Sequence, residues 1–165
     1  ETGPHYLVLD DSALQEHGRF KMNPPLRSSE DREALLEGIS DGTIDMIATD
    51  HAPHSDEEKS RGLEKSAFGI VGLETAVSVL NTHLVNSGII TLDKMVELLY
   101  TNPVSRFNIN SNTGFSVWDL NAEYTVDPSN FKSKGRATPF DGDKLLGKCL
   151  YTVFNNKIIY ENTDK

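Results

Sequence analysis

Residues 44 to 49 read Ile-Asp-Met-Ile-Ala-Thr and run directly into Asp50-His51-Ala52-Pro53-His54. A short run rich in apolar and β-branched residues, bounded by polar turn formers, predicts a buried strand. A strand that carries a carboxylate and imidazoles at its tip points to an α/β fold, because ligand crevices in such folds open where strands pass into loops. These are also the side chains that a metal-assisted hydrolase needs at its reacting centre. The set is partial, since the sequence holds neither a His-x-His pair nor a lysine-centred motif to complete it.

The rest of the chain fits this frame. Tyr6-Leu7-Val8-Leu9, closed by Asp10-Asp11, reads as a second buried strand. Phe20 to Arg27 holds Pro24-Pro25 and is expected to be an irregular loop, because neither proline can donate to a helix or ladder. Ser28, with Asp31 three residues later, resembles a capping box and starts a helix near 29 to 38, after which Asp41-Gly42 turns the chain. Leu73, Ala76, Val77, Leu80 and Leu84 follow the spacing of a one-sided helical face, and Gly88 suits the left-handed residue that ends it. Thr91 caps a further helix with Leu92, Met95, Val96 and Leu99, and Asn102-Pro103 reads as a new cap with proline at the first helical position. From Ile109 onward short apolar runs alternate with Gly, Asn, Ser and Pro. Two of them, Leu150 to Phe154 and Lys157 to Tyr160, flank an Asn155-Asn156 hairpin turn, so a small antiparallel β unit is expected there. The division expected is therefore 1–108 and 109–165.

Composition narrows the function classes. The chain has 165 residues, 25 acidic against 16 basic, and a formal charge of −9, which disfavours nucleic acid as a partner. It has no apolar run approaching the roughly 18 residues of a membrane span and no charged-then-apolar leader, so no membrane association is expected. Cys149 is the single cysteine, which excludes an internal disulfide framework and fits a reducing, cytoplasmic setting. A single domain's core is available, but the chain is short for a complete barrel.

Each candidate residue has two readings. Asp50 either faces a ligand crevice or accepts amide hydrogen bonds in its own turn. His54, held by Pro53, either orients a polar substrate or is a surface histidine. Asn23, before two prolines, either offers its amide to a cyclic amide or imide ring or simply forms a turn. Arg27 either clamps a carboxylate or pairs locally with the acidic residues that follow it, and it is left out of the expected site. His5, His17 and His83 lack ligand partners at suitable spacing. Phe68-Gly69-Ile70-Val71-Gly72 is a turn where glycine allows close approach of a ligand, without the Lys-Ser/Thr context of a phosphate loop. Asp56-Glu57-Glu58-Lys59 is expected to be a solvated face.

Taken together, Asn23-Pro24-Pro25-Leu26-Arg27, the Ala48-Thr49-Asp50-His51-Ala52-Pro53-His54 run and Phe68 to Thr75 closely resemble the C-terminal half of class I dihydroorotase, of the amidohydrolase superfamily. Glu1 to Leu7 and Thr138-Pro139-Phe140 fit the same family, so the resemblance covers essentially the whole chain. Hydantoinases and allantoinases share the barrel but differ at the Asn23 loop and at the His54 position. The resemblance implies the C-terminal part of a (β/α)8 barrel holding zinc at its strand ends, followed by a small antiparallel β unit. It implies reversible hydrolysis of L-dihydroorotate to N-carbamoyl-L-aspartate in pyrimidine synthesis. Asp50 corresponds to the metal-binding aspartate that also moves the proton, Asn23 and His54 to substrate contacts, and Ala67, Phe68 and Gly69 to a ring-binding turn. Ser66-Ala67 stands where Ala-Pro is common. The family's His-x-His-x-Arg motif, its bridging acidic or lysine residue and its two further histidines belong upstream of the segment equivalent to Glu1. The chain alone is therefore expected to be inactive. The family also implies a homo-oligomer and, in some members, pairing with aspartate transcarbamoylase. The rival expectations are a noncatalytic dihydroorotase-like subunit that binds a partner enzyme, and a cyclic amidase of the hydantoinase or dihydropyrimidinase type.

Overall fold

In the computed structural model, which describes residues 1–109 and 114–162, the chain begins with a helix where the sequence predicts a strand. α1 spans Pro4–Val8, with Tyr6 N–H donating to Gly3 O at 3.1 Å and Leu9 N–H to His5 O at 2.9 Å. Pro4 sits in the first turn, where its missing N–H costs nothing and its fixed φ favours the helix. A four-residue apolar run cannot by itself distinguish a strand from one buried helical turn. Packing decides: Leu7, 1% exposed, joins Ile39, Ile47, Leu80, Leu84, Met95 and Leu98 in the largest core.

α2 (Ser29–Asp41) has the expected capping box, Ser28 with Asp31, and runs three residues beyond the expected end to a left-handed Gly42 at φ 84°. The segment that follows, Ile44 to Thr49, does not form the expected strand. It makes one parallel bridge, Ile47 with Thr2, through Thr2 N–H to Met46 O and Ala48 N–H to Thr2 O. Its other edge faces a helix. α6 (Leu92–Val96) passes through a π-helical turn, Glu97–Thr101, into α7 (Asn102–Phe107) without leaving helical backbone. In that turn Asn102 N–H reaches back to Glu97 O, which frees Leu98 O to accept Ile47 N–H at 3.0 Å. Asn102 is thus not a cap. Its side chain donates to Asp45 O at 2.8 Å, and Arg106 pairs with the Asp45 carboxylate. The wide turn accommodates Pro103, which has no N–H to continue an α-helical ladder.

Two short helical turns, α3 (Asp56–Lys59) and α4 (Gly62–Lys65), precede α5 (Ala76–Leu80), which continues as a π-helical turn over Asn81–Val85. Ala76, Leu80 and Leu84 are buried as the spacing predicts, but Leu73 precedes the helix and is 59% exposed. Beyond α7, which ends on a left-handed Asn108, come β1 (Gly114–Thr125), β2 (Lys144–Phe154) and β3 (Lys157–Glu161). They form the expected antiparallel sheet, in the order β1-β2-β3. Asn155 and Asn156 turn the last hairpin at φ 48° and 58°. One end of the sheet docks on α5, where Val79, Val126, Phe140 and Leu145 form a core and Asn81 Nδ2 donates to Leu120 O and Leu146 O. Of the expected 109–165 unit, residues 110–113 and 163–165 lie outside the described residues.

Candidate functional site

Just past the segment bridged at Ile47 stands Asp50, whose backbone is left-handed at φ 49°. Aspartate tolerates that region better than most residues, and the turn swings its carboxylate to the surface. There it lines a cavity of about 680 Å³ together with Asn23, Pro24, Tyr6 and Arg27. Asn23 and Asp50 are therefore brought to one concave site. Asn23 is exposed, and its loop is anchored by the Tyr6 hydroxyl, which donates to Pro24 O at 2.8 Å. Burial, reinforced by the Asp50 charge, pushes the Tyr6 phenol up to about 12, so it stays a hydrogen-bond donor at neutral pH. The sequence reads Tyr6 as part of a strand, and nothing near it in the chain signals this contact. Arg27 lies 3.7 Å from Asp31, the local pairing.

His51 is a support for the loop. Its Nδ1 accepts from Gly72 N–H and Leu73 N–H at 3.3 Å each, and its Nε2 lies 3.3 Å from Ser133 Oγ. Ala52 N–H donates to Ile70 O at 2.9 Å. Loop 50–54 is thereby wedged between two other loops. A Cβ on Gly69, which has φ 130°, would lie 2.6 Å from Ala52 Cβ and 3.3 Å from His54 Cδ2. A Cβ on Gly135 would lie 2.8 Å from Pro53 Cβ. Both positions need glycine for close approach.

His54 and the Ala67–Gly69 turn therefore pack together, adjacent to the Asp50 loop but not in the lining of the Asn23–Asp50 cavity. His54 is half-buried, with Nδ1 3.6 Å from Glu58 Oε1. Phe68 is 55% exposed, and the Lys21 ammonium sits 4.3 Å from its ring centroid. Beneath this turn lies a correction to the expected solvated face. Lys59, the last residue of α3 (Asp56–Lys59), is 4% exposed, and its Nζ donates to Lys21 O, Ala67 O and Gly69 O. Nothing local in Asp-Glu-Glu-Lys signals this burial, since the acceptors are backbone carbonyls from other loops.

Among the described residues, no group of three or more His, Cys, Asp or Glu side chains is placed to hold a metal. Asp50 offers one carboxylate, and a zinc site takes three or four ligands, so zinc does not fit the residues of this chain by themselves. Among the described residues, no helix is long and apolar enough to cross a membrane.

No family model matches the chain. It is 48% identical over 171 residues to a dihydroorotase of Brevibacillus brevis, covering 98% of this chain and 40% of that protein. A dihydroorotase of Fusobacterium nucleatum is also 48% identical, over 97% of this chain and 40% of its own length. Among solved structures, the L-hydantoinase (dihydropyrimidinase) of Arthrobacter aurescens superposes with a TM-score of 0.85 at 29% identity, covering 98% of this chain and 39% of that one. A dihydropyrimidinase of Brevibacillus agri has the same TM-score at 22% identity, covering 96% of this chain and 38% of that one, a likeness of fold alone. The chain thus spans about two fifths of the length of the relatives that it matches.

Proposed function

We infer that this chain belongs to the dihydroorotase family and is a C-terminal portion of a hydrolase that opens the cyclic amide of L-dihydroorotate to N-carbamoyl-L-aspartate and closes it again. The observation that carries this reading is the convergence of Asp50, on its left-handed turn, and Asn23 on one cavity of about 680 Å³. In the ring-opening direction water adds to the ring carbonyl, Asp50 takes the proton that the water gives up, and the ring C–N bond breaks. The proton then passes from Asp50 to the departing nitrogen. Asn23 offers its amide to the ring's amide groups, while His54 and the backbone of Ala67, Phe68 and Gly69 orient the substrate from the neighbouring loop.

Asp50 also supplies one ligand of a zinc site, and the remaining ligands come from polypeptide outside this chain. Residues 1–108 then form the last part of a (β/α)8 barrel, and 109–165 form part of a small β domain. A cytoplasmic homo-oligomer, paired in some members with aspartate transcarbamoylase, is the setting that the resemblance implies.

The test is hydrolysis of dihydroorotate with added zinc, by the 165-residue chain and by a protein that carries this chain behind the upstream polypeptide of its relatives. Only the longer protein is expected to turn over. Activity in the short chain would overturn the incomplete site, and preference of the longer protein for hydantoin or dihydropyrimidine would overturn the substrate. In the longer protein, Asp50→Asn should lower kcat by roughly 10²- to 10⁴-fold. Asparagine suits the same left-handed backbone, so unfolding should be little changed.

A further inference from the structure

Lys59 has no part in the chemistry proposed above, yet it joins the loops that carry its substrate contacts. α3 starts immediately after His54 and Ser55, so the backbone of Lys59 is continuous with the Asp50–His54 loop. Its Nζ reaches Lys21 O at 3.0 Å, two residues before Asn23, and Ala67 O and Gly69 O at 2.7 Å each, on either side of Phe68. The three protons of an ammonium match three carbonyl acceptors, and bonds from a charged donor are the stronger kind. Two backbone bonds complete the clamp, Gly69 N–H to Lys21 O at 3.0 Å and Ala67 N–H to Glu58 O at 3.1 Å. Gly18 closes one side, since a Cβ there would lie 2.1 Å from Lys59 O.

We propose that Lys59 is a positioning residue, whose ammonium fixes the spacing between the Asn23 loop, the His54 loop and the Ala67–Gly69 turn so that they meet the substrate as one unit. The substrate part of this proposal rests on the dihydroorotase reading; the clamp itself does not. Lys59 touches no reacting atom, so its loss should weaken binding more than turnover.

The clamp is tested in the 165-residue chain by amide hydrogen exchange. Lys59→Met should speed exchange at Ala67 and Gly69 by about tenfold or more, the loss expected for bonds to a charged donor, while α2 amides stay unchanged. Unaltered exchange at Ala67 and Gly69, or a uniform rise everywhere, overturns it. If Lys59→Met does not fold, Lys59→Ala is measured with and without n-propylammonium, which replaces the missing atoms from Cγ to Nζ. Slowed exchange with propylammonium but not with 1-propanol supports the clamp, and equal effects overturn it. In the longer protein, Lys59→Met should raise KM for dihydroorotate about tenfold with a smaller change in kcat, whereas the exposed Lys65→Met should change neither. An unchanged KM overturns the substrate role. If the unsubstituted longer protein does not hydrolyse dihydroorotate, the dihydroorotase reading fails, and the exchange result still decides the clamp.

Discussion

Around Lys59, three loops converge on a charged side chain that is 4% exposed, whereas at the far end of the sheet Phe115, Ile158 and Ile159 are 62%, 60% and 63% exposed. Polarity alone would predict the reverse. Loops have no ladder of their own, so fixing them in relation to one another takes buried donors that satisfy their carbonyls. The sheet's far end is held by its own strand-to-strand bonds and needs no burial to keep its shape. Its near end behaves like the loops, because there Asn81 and Ser78 of the α5 segment donate to sheet carbonyls and Leu145 is fully buried.

This contrast between anchored and free parts can be broken experimentally. The largest effect on stability is expected at the near end, where Phe140→Ala should cost about 3–5 kcal/mol in urea unfolding, the usual range for a buried aromatic truncated to alanine. A cost under about 1 kcal/mol would show that this core does not hold the sheet to α5.

His5 sharpens the comparison with Lys59, because it is a buried ionisable group without the carbonyl acceptors that Lys59 has. It is 1% exposed, its Nε2 has no hydrogen-bond partner among the described residues, and burial lowers its pKa from 6.5 to about 4. The unfolded chain therefore takes up a proton at a higher pH than the folded one. The stability tied to a neutral His5 is complete above pH 6.5, declines as the pH falls and is lost by about 4. The decline amounts to about 3 kcal/mol. Urea midpoints measured across that interval should slope for the native chain and flatten for His5→Met. Equal slopes would mean that other groups carry the acid sensitivity.

Smaller effects complete the series. Asn81→Ala strips partners from Leu120 O, in the bulged stretch of β1, and from Leu146 O, and should cost about 1–3 kcal/mol with faster exchange at the near end of β2. At the far end, Ile158→Thr should stay within about 0.5 kcal/mol, because the side chain is already in water. A loss above about 2 kcal/mol there would mean that this face is covered in solution.

Residues that speak to near neighbours are legible in the sequence itself. Ser28 and Asp31 fix the start of α2 within one turn, and Asn155-Asn156 fixes the hairpin because both accept positive φ. The Asp50-His51-Ala52-Pro53-His54 run and Asn23 are visible as candidate chemistry, and their proposed roles come from the resemblance to dihydroorotases. Whether Tyr6 to Leu9 coils or extends, whether Leu73 joins the helix, and whether Ile44 to Thr49 finds a strand or a helix beside it cannot be read locally. Those outcomes depend on what packs or hydrogen-bonds from far along the chain. Lys59 is the clearest case: its neighbours in sequence are acidic and exposed, while its partners lie 8, 10 and 38 residues away.

By itself the sequence determined where α2 begins, where the left-handed turns at Gly42 and Asn155-Asn156 fall and which side chains could do acid–base work, since these rest on contacts within a few residues. Tertiary structure alone decided which of those side chains share a cavity and which polar groups are buried. Burial and mutual distance depend on segments that meet only when the chain folds, and they are set by the total satisfaction of packing and hydrogen bonds there.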